Sequence, residues 1–165
     1  MRLQFSTDGK TWKDKAAQSP GGDGRFAIDV KAERDGYWRA RVPDDDGYLV
    51  VPSVSSADHV DVRYQTRILD FNAAPEPVRK GGTVTVMGAL YRQTSKWYTY
   101  GGKTISFYFL PRGSSKWVYM GRQTTDRFGR FRKGFKATRD GTWRAYSGAT
   151  STYVKTYRDD YVDVR

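Results

Sequence analysis

Three blocks of this sequence occur twice, in the same order. Gly24-Arg25-Phe26 returns as Gly129-Arg130-Phe131. Arg34-Asp35-Gly36-Tyr37-Trp38-Arg39-Ala40 returns as Arg139-Asp140-Gly141-Thr142-Trp143-Arg144-Ala145, and Val60-Asp61-Val62-Arg63 as Val162-Asp163-Val164-Arg165. The offset is 105 for the first two blocks and for Trp12 against Trp117, and 102 for the last. Thirteen identities nearly in register make this an internal repeat, so one supersecondary pattern must serve twice. The three residues lost between Ala145 and Val162 mark a loop, where length is tolerated. The units are placed at residues 1–63 and 64–165.

Inside each unit the hydrophobic period is two. Phe26, Ile28 and Val30 alternate with Ala27, Asp29 and Lys31, and Ile105, Phe107 and Phe109 with Ser106, Tyr108 and Leu110. That is strand alternation, and no amphipathic helix stands out. Turn pairs such as Asp8-Gly9, Asp35-Gly36, Gly81-Gly82 and Asp140-Gly141 separate the runs. In the second unit the pattern predicts strands over 66–71, 83–90, 104–109, 116–121, 129–137, 142–146 and 161–165. Prolines at 75 and 77 break the first from the second. Short strands about ten residues apart predict an all-β chain of two tandem immunoglobulin-like β-sandwich units. Trp38 and Trp143 are expected at equivalent buried sites, since a large apolar residue placed identically in two units is packing.

Pro77-Val78-Arg79-Lys80-Gly81-Gly82-Thr83-Val84-Thr85-Val86 resembles the opening strands of bacterial immunoglobulin-like repeats. The Asp126 to Phe131 turn and the Asp140 to Ala145 segment resemble them too. Such repeats occur in secreted and surface proteins of Gram-positive bacteria. The resemblance implies a secreted or cell-surface location and a non-enzymatic role in binding or spacing.

The residue inventory narrows the chemistry. With no cysteine, disulfide scaffolds, thiolate zinc sites and Cys nucleophiles are excluded, and a single histidine excludes multi-His centres. His59 lies near Asp58, Asp61 and Ser53, Ser55 and Ser56, but a triad needs convergence in space rather than in sequence. Its counterpart in the second unit is Tyr161, which favours a surface histidine. Glutamate occurs only at 33 and 76, and adjacent loop aspartates do not form the separated pair of a glycosidase. The Asp44-Asp45-Asp46-Gly47 loop offers several oxygens to a hard cation, so Asp44 and Asp46 are a candidate calcium site, although the alternating acidic loop is missing. Gly21-Gly22-Asp23-Gly24 precedes a strand rather than a helix and is a turn, not a phosphate cradle. No catalytic set, cofactor or other metal is expected, so no enzyme is expected. No apolar run approaches the ~20 residues of a membrane span, and no secretory signal opens the chain.

Charge singles out the second unit. Residues 1–63 hold 10 Lys/Arg and 11 Asp/Glu, whereas residues 64–165 hold 19 and 7. A field of that sign draws polyanions such as nucleic acid or anionic cell-wall polymer. Arg130, Arg132 and Lys136 share one parity and are predicted to form an exposed row, with Phe131 and Phe135 facing inward. Lys133 falls on the inward parity and requires a bulge or a sheet edge. An aromatic cluster of Tyr91, Trp97, Tyr98 and Tyr100, with Arg92 and Lys96 among them, is placed on a loop between strands and is a second contact candidate, suited to sugar stacking or to a protein partner.

Alignment of the repeats also predicts a gap. Leu3 and Phe5 match Phe107 and Phe109, so the first unit lacks about 41 residues and both opening strands. Phe26, Ile28 and Val30 would then lie on an open edge. A longer natural chain, a strand donated by a protein partner, or self-association would each close it.

Overall fold

Alternation with a period of two becomes thirteen β-strands, and among the described residues there is no helix. The structure, a computed structural model, describes residues 1–44 and 51–165. Two compact units divide it, Met1–Arg63 and Tyr64–Arg165.

The second unit holds β6 (Thr66–Ala74), β7 (Thr83–Gln93), β8 (Trp97–Thr99), β9 (Thr104–Pro111), β10 (Val118–Thr124), β11 (Arg130–Lys136), β12 (Gly141–Ser147) and β13 (Thr156–Val162). They form two antiparallel sheets, one ordered β10-β9-β12-β13 and the other β11-β7-β6, with β8 also paired to β7. Inward residues of both sheets meet in one core. Ile68, Val84, Val86 and Leu90 come from one side, and Ile105, Phe107 and Trp143 from the other. Phe107 lies edge-on to Phe131 and Phe135 at ring distances of 5.8 and 5.4 Å. This interdigitation is what sandwiched sheets require.

Several boundaries differ from the sequence pattern, among them β10 at Val118–Thr124 rather than 116–121. Trp97–Thr99 is a short strand rather than loop, because it pairs with Tyr91–Gln93 in line with β11. β6 runs on to Ala74 through a bulge at Leu69/Asn72, where Asp70 takes a φ of 51°. The last strand is β13, not 161–165. It pairs with β12 from Gly141↔Val162 to Ser147↔Thr156, so later residues run past the start of β12. There the Asp140 carboxylate accepts the Val164 N–H at 2.9 Å.

Among the described residues, the first unit is a single five-stranded sheet. β1 (Arg2–Ser6), β2 (Lys13–Ala17), β3 (Gly36–Val42) and β4 (Ser53–Val54) follow the order β2-β1-β3-β4, and β5 (Asp58–Val60) also pairs with β3. Its register repeats that of the β10-β9-β12-β13 sheet. Phe5 faces Trp38 as Phe109 faces Trp143, Leu3 faces Ala40 as Phe107 faces Ala145, and Gly36 faces Val60 as Gly141 faces Val162. Asp35 accepts the Val62 N–H at 2.7 Å, as Asp140 does that of Val164.

Two expectations for this unit need correcting. Arg25–Val30, which aligns with β11, is not a strand. β11 gets its ladder from β7, and among the described residues of the first unit no strand corresponds to β7. Trp38 is half-buried, whereas Trp143 is 3% exposed, because Trp143 has a second sheet over it.

Candidate functional site

The turn before β11 fixes the site. Asp126 Oδ1 accepts the N–H groups of Phe128 and Arg130, both at 2.8 Å. Its main chain closes the turn through Asp126 N to Arg130 O and Gly129 N to Asp126 O. β11 leaves this turn paired to β7, so alternate side chains go to opposite faces. Phe131 and Phe135 are buried, while Arg130, Arg132 and Lys136 are exposed on the outer face. Gly134 interrupts the row, leaving Arg130 and Arg132 about 7 Å apart along the strand and Lys136 farther off. Lys133 has inward parity at a sheet edge. Its ammonium reaches across to the Arg122 carbonyl of β10 at 3.3 Å.

Register carries the same face toward the aromatic residues. Arg130 lies opposite Ala89, and Tyr91 follows two positions on. Tyr91 lies opposite Arg67 on one side and Thr99 on the other, and Gln93 lies opposite Trp97. Arg130, Arg132, Tyr91, Arg67 and Trp97 therefore share one sheet face. The Arg67 guanidinium stacks 3.9 Å from the Trp97 ring, and its Nε is buried without a hydrogen-bond partner. Arg67 lies outside the residues the sequence reading selected; only the strand pairing brings it to Trp97.

A cleft of 430 Å³ opens beside the row, lined by Asp70, Met87, Ala89, Gln123, Arg130 and Arg132. Gln123 Oε1 accepts the Arg132 N–H at 3.3 Å. Among the described residues, no carboxylate lies within 4.0 Å of the charged nitrogens of Arg67, Arg130, Arg132 or Lys136. Arg127 and Arg130 flank the exposed Phe128 ring at 4.6 and 5.7 Å.

The other candidates separate. Tyr98 is exposed on the face of β8 opposite Trp97, with the Lys96 ammonium 5.6 Å from its ring. Tyr100 is corrected to a core position. It is buried against Tyr153 at 4.9 Å, with the Arg92 guanidinium 4.9 Å and the Lys103 ammonium 4.7 Å from its ring. Phe26 and Val30 are exposed and Ile28 is half-buried. Asp44 is exposed, and Asp46 lies outside the described residues. His59 packs edge-on to Tyr37 at 4.8 Å, and Ser55 Oγ accepts the Ala40 N–H and donates to the Ser56 carbonyl.

Arg39 and Arg144 stack on aromatic rings of their own units. Arg39 stacks 4.0 Å from Trp12, and Arg144 lies between Trp117 at 3.9 Å and Tyr157 at 4.1 Å. Arg144 also grips Asp159 through two bonds of 2.7 Å, which hold its guanidinium pKa above the ordinary value. The offset of 105 shared by both Arg–Trp pairs was the signal for this contact.

No protein-family model matches the chain, and no curated protein matches it. Solved structures do align. A superoxide reductase (neelaredoxin) from Ignicoccus hospitalis has a TM-score of 0.44 and 16% identity, over 58% of this chain and 79% of that one. A Thermotoga maritima protein assigned as a superoxide reductase has 0.46 and 17%, over 60% and 86%. These neighbours carry enzyme names, and they overturn the expectation of a non-enzymatic, extracellular binding or structural module. A β-architecture of this kind does not argue against catalysis. At this similarity the neighbours' activity does not carry over. Among the described residues, no cluster of three or more His, Cys, Asp or Glu is placed to hold a metal ion.

Proposed function

We propose that the outer face of the β11-β7-β6 sheet binds a linear polyanion. One observation carries the reading. Arg130 and Arg132 stand side by side without a carboxylate partner, on the face that also presents Arg67 stacked on Trp97. Unpaired guanidinium groups two residues apart on a strand match the repeated charge of a polymer, and an aromatic platform beside them gives its rings a surface to stack on. The surplus of 19 basic over 7 acidic residues in 64–165 adds long-range attraction. The finer fold reading, an immunoglobulin-like sandwich, is supported in this unit by two antiparallel sheets packed face to face.

The test is elution of the chain from immobilised heparin in a salt gradient, against an ordinary cation exchanger. The chain is expected to elute later from heparin. Arg130→Ala and Arg132→Ala are each expected to lower the slope of log K against log salt by about 0.7–0.9, the release per phosphate-like contact. Lys155→Ala with Arg158→Ala removes the same charge elsewhere and is expected to shift heparin elution far less. Equal shifts for both pairs would reduce the effect to net charge and refute the site.

A further inference from the structure

The first unit's sheet can be matched, residue by residue, to a sheet that is covered in the second. Phe5 and Trp38 stand 4.8 Å apart, as Phe109 and Trp143 do. Trp143 also stacks on Phe135 at 4.7 Å and 27°. By the repeat, Phe135 corresponds to Val30, which is 38% exposed. Beside Trp38 lies a cavity of 270 Å³ bordered by Phe5, Lys15, Val30 and Arg34. The Trp38 Nε1 is buried without a partner.

The backbone makes the same comparison. Gly21 N donates to Arg25 O at 2.8 Å and Gly24 N to Gly21 O at 2.9 Å, reproducing the turn that launches β11. Past the turn the two copies diverge. β11 continues along β7, whereas Arg25–Val30 forms no ladder and leaves Phe26 40% exposed.

We infer that the first unit is an acceptor for an incoming β-hairpin with the apolar alternation of β6 and β7. The hairpin pairs along Arg25–Val30 and lays alternate apolar side chains over Leu3, Phe5 and Trp38, as β6 and β7 lay Ile68, Val84 and Val86 over the second unit's core. A second copy of the sheet, packed face to face, would cover Phe5 and Trp38. It would leave the N–H and C=O groups of Arg25–Val30 unpaired, whereas a hairpin satisfies both the face and the backbone. The first unit is nearly neutral, with 10 basic and 11 acidic residues, so the hairpin is selected by its apolar alternation rather than by charge.

The probe is a labelled peptide with the sequence of residues 64–93, added to the full chain. Saturable one-to-one binding is expected by anisotropy, and amide exchange at residues 26–30 is expected to slow by about tenfold or more. Ile28→Asp in the chain, or Val84→Asp with Val86→Asp in the peptide, is expected to abolish both. Unchanged exchange at saturating peptide overturns the proposal. So does a chain that is dimeric alone with residues 26–30 already protected, which makes a second copy the occupant. Where the peptide does not stay soluble, residues 64–103 are fused ahead of Met1 through a flexible linker. Protection in the fusion supports the fit of hairpin to face. No protection there overturns it.

Discussion

Gly129 and Gly24 occupy the same place in the same turn, yet replacing them with alanine should have different costs. Their φ angles are +75° and +78°, so each alanine is forced into the left-handed region at about 1–2 kcal/mol. At Gly24 the new Cβ meets nothing within 4 Å. At Gly129 it would lie 2.4 Å from the Leu90 carbonyl oxygen and 3.0 Å from the Tyr100 nitrogen. That carbonyl accepts the Tyr100 N–H at 2.8 Å, and Leu90 N donates to Gly129 O at 2.8 Å. Relieving the overlap strains both bonds, each worth about 0.5–1.5 kcal/mol. Gly129→Ala is therefore expected to cost about 3 kcal/mol or more, and Gly24→Ala about 1–2 kcal/mol. Two units do not license a single two-state transition, so the assay is native-state hydrogen exchange read on the slowest amides of each unit. Equal costs, or a larger cost at Gly24, would refute the claim that packing around the turn differs.

Trp143→Ala is expected to cost about 3–5 kcal/mol, and Trp38→Ala less than half of that, because Trp38 is only half-buried; unit-resolved exchange measures both. Asp70→Asn removes the carboxylate that lines the cleft with Arg130 and Arg132, so elution from heparin is expected to move to higher salt. Acid should weaken both units. The Thr11 and Lys10 N–H groups hold Asp8 below its ordinary value, the Gln4 side chain and then Arg2 hold Asp14 down, and the Val164 N–H holds Asp140 down. A folded pKa below the unfolded one gives stability that is complete above the ordinary 3.8 and is lost as pH falls through the depressed values. Asp140→Asn is expected to flatten that acid limb for the second unit in pH-dependent exchange.

What was legible in the sequence was mostly local. The Gly24 and Gly129 turns form as their residues dictate, and the parity of Arg130, Arg132, Phe131 and Phe135 follows from the alternation. What needed distant partners was not legible. Gly-Arg-Phe opens a strand at 129 and none at 24, because the ladder belongs to β7 as much as to β11. Trp97–Thr99 consists of strand-favouring residues, yet its ladder lies at the far end of β7, which local pattern does not reveal. Tyr100 has the same residue type as Tyr98, and only packing against Tyr153, from the connection between β12 and β13, tells that it is buried. The face uniting Arg67 and Trp97 with the basic row depends on register across three strands. Chemistry was least legible, since a repeat of packing residues constrains architecture and leaves the activity open.

The missing ladder over Arg25–Val30 has a consequence for lifetime. A protease must draw several residues of extended backbone into its own cleft, so a cleavable side chain is harmless while its main chain is held in a sheet. Arg130, Arg132 and Lys136 offer trypsin three exposed sites on paired backbone, whereas Arg25 and Lys31 offer theirs on backbone that is bound to no strand. One Gly-Arg-Phe is thus protected and its twin can be cut. In a mixture of chains, those whose first unit has found its cover would be the ones that outlast digestion.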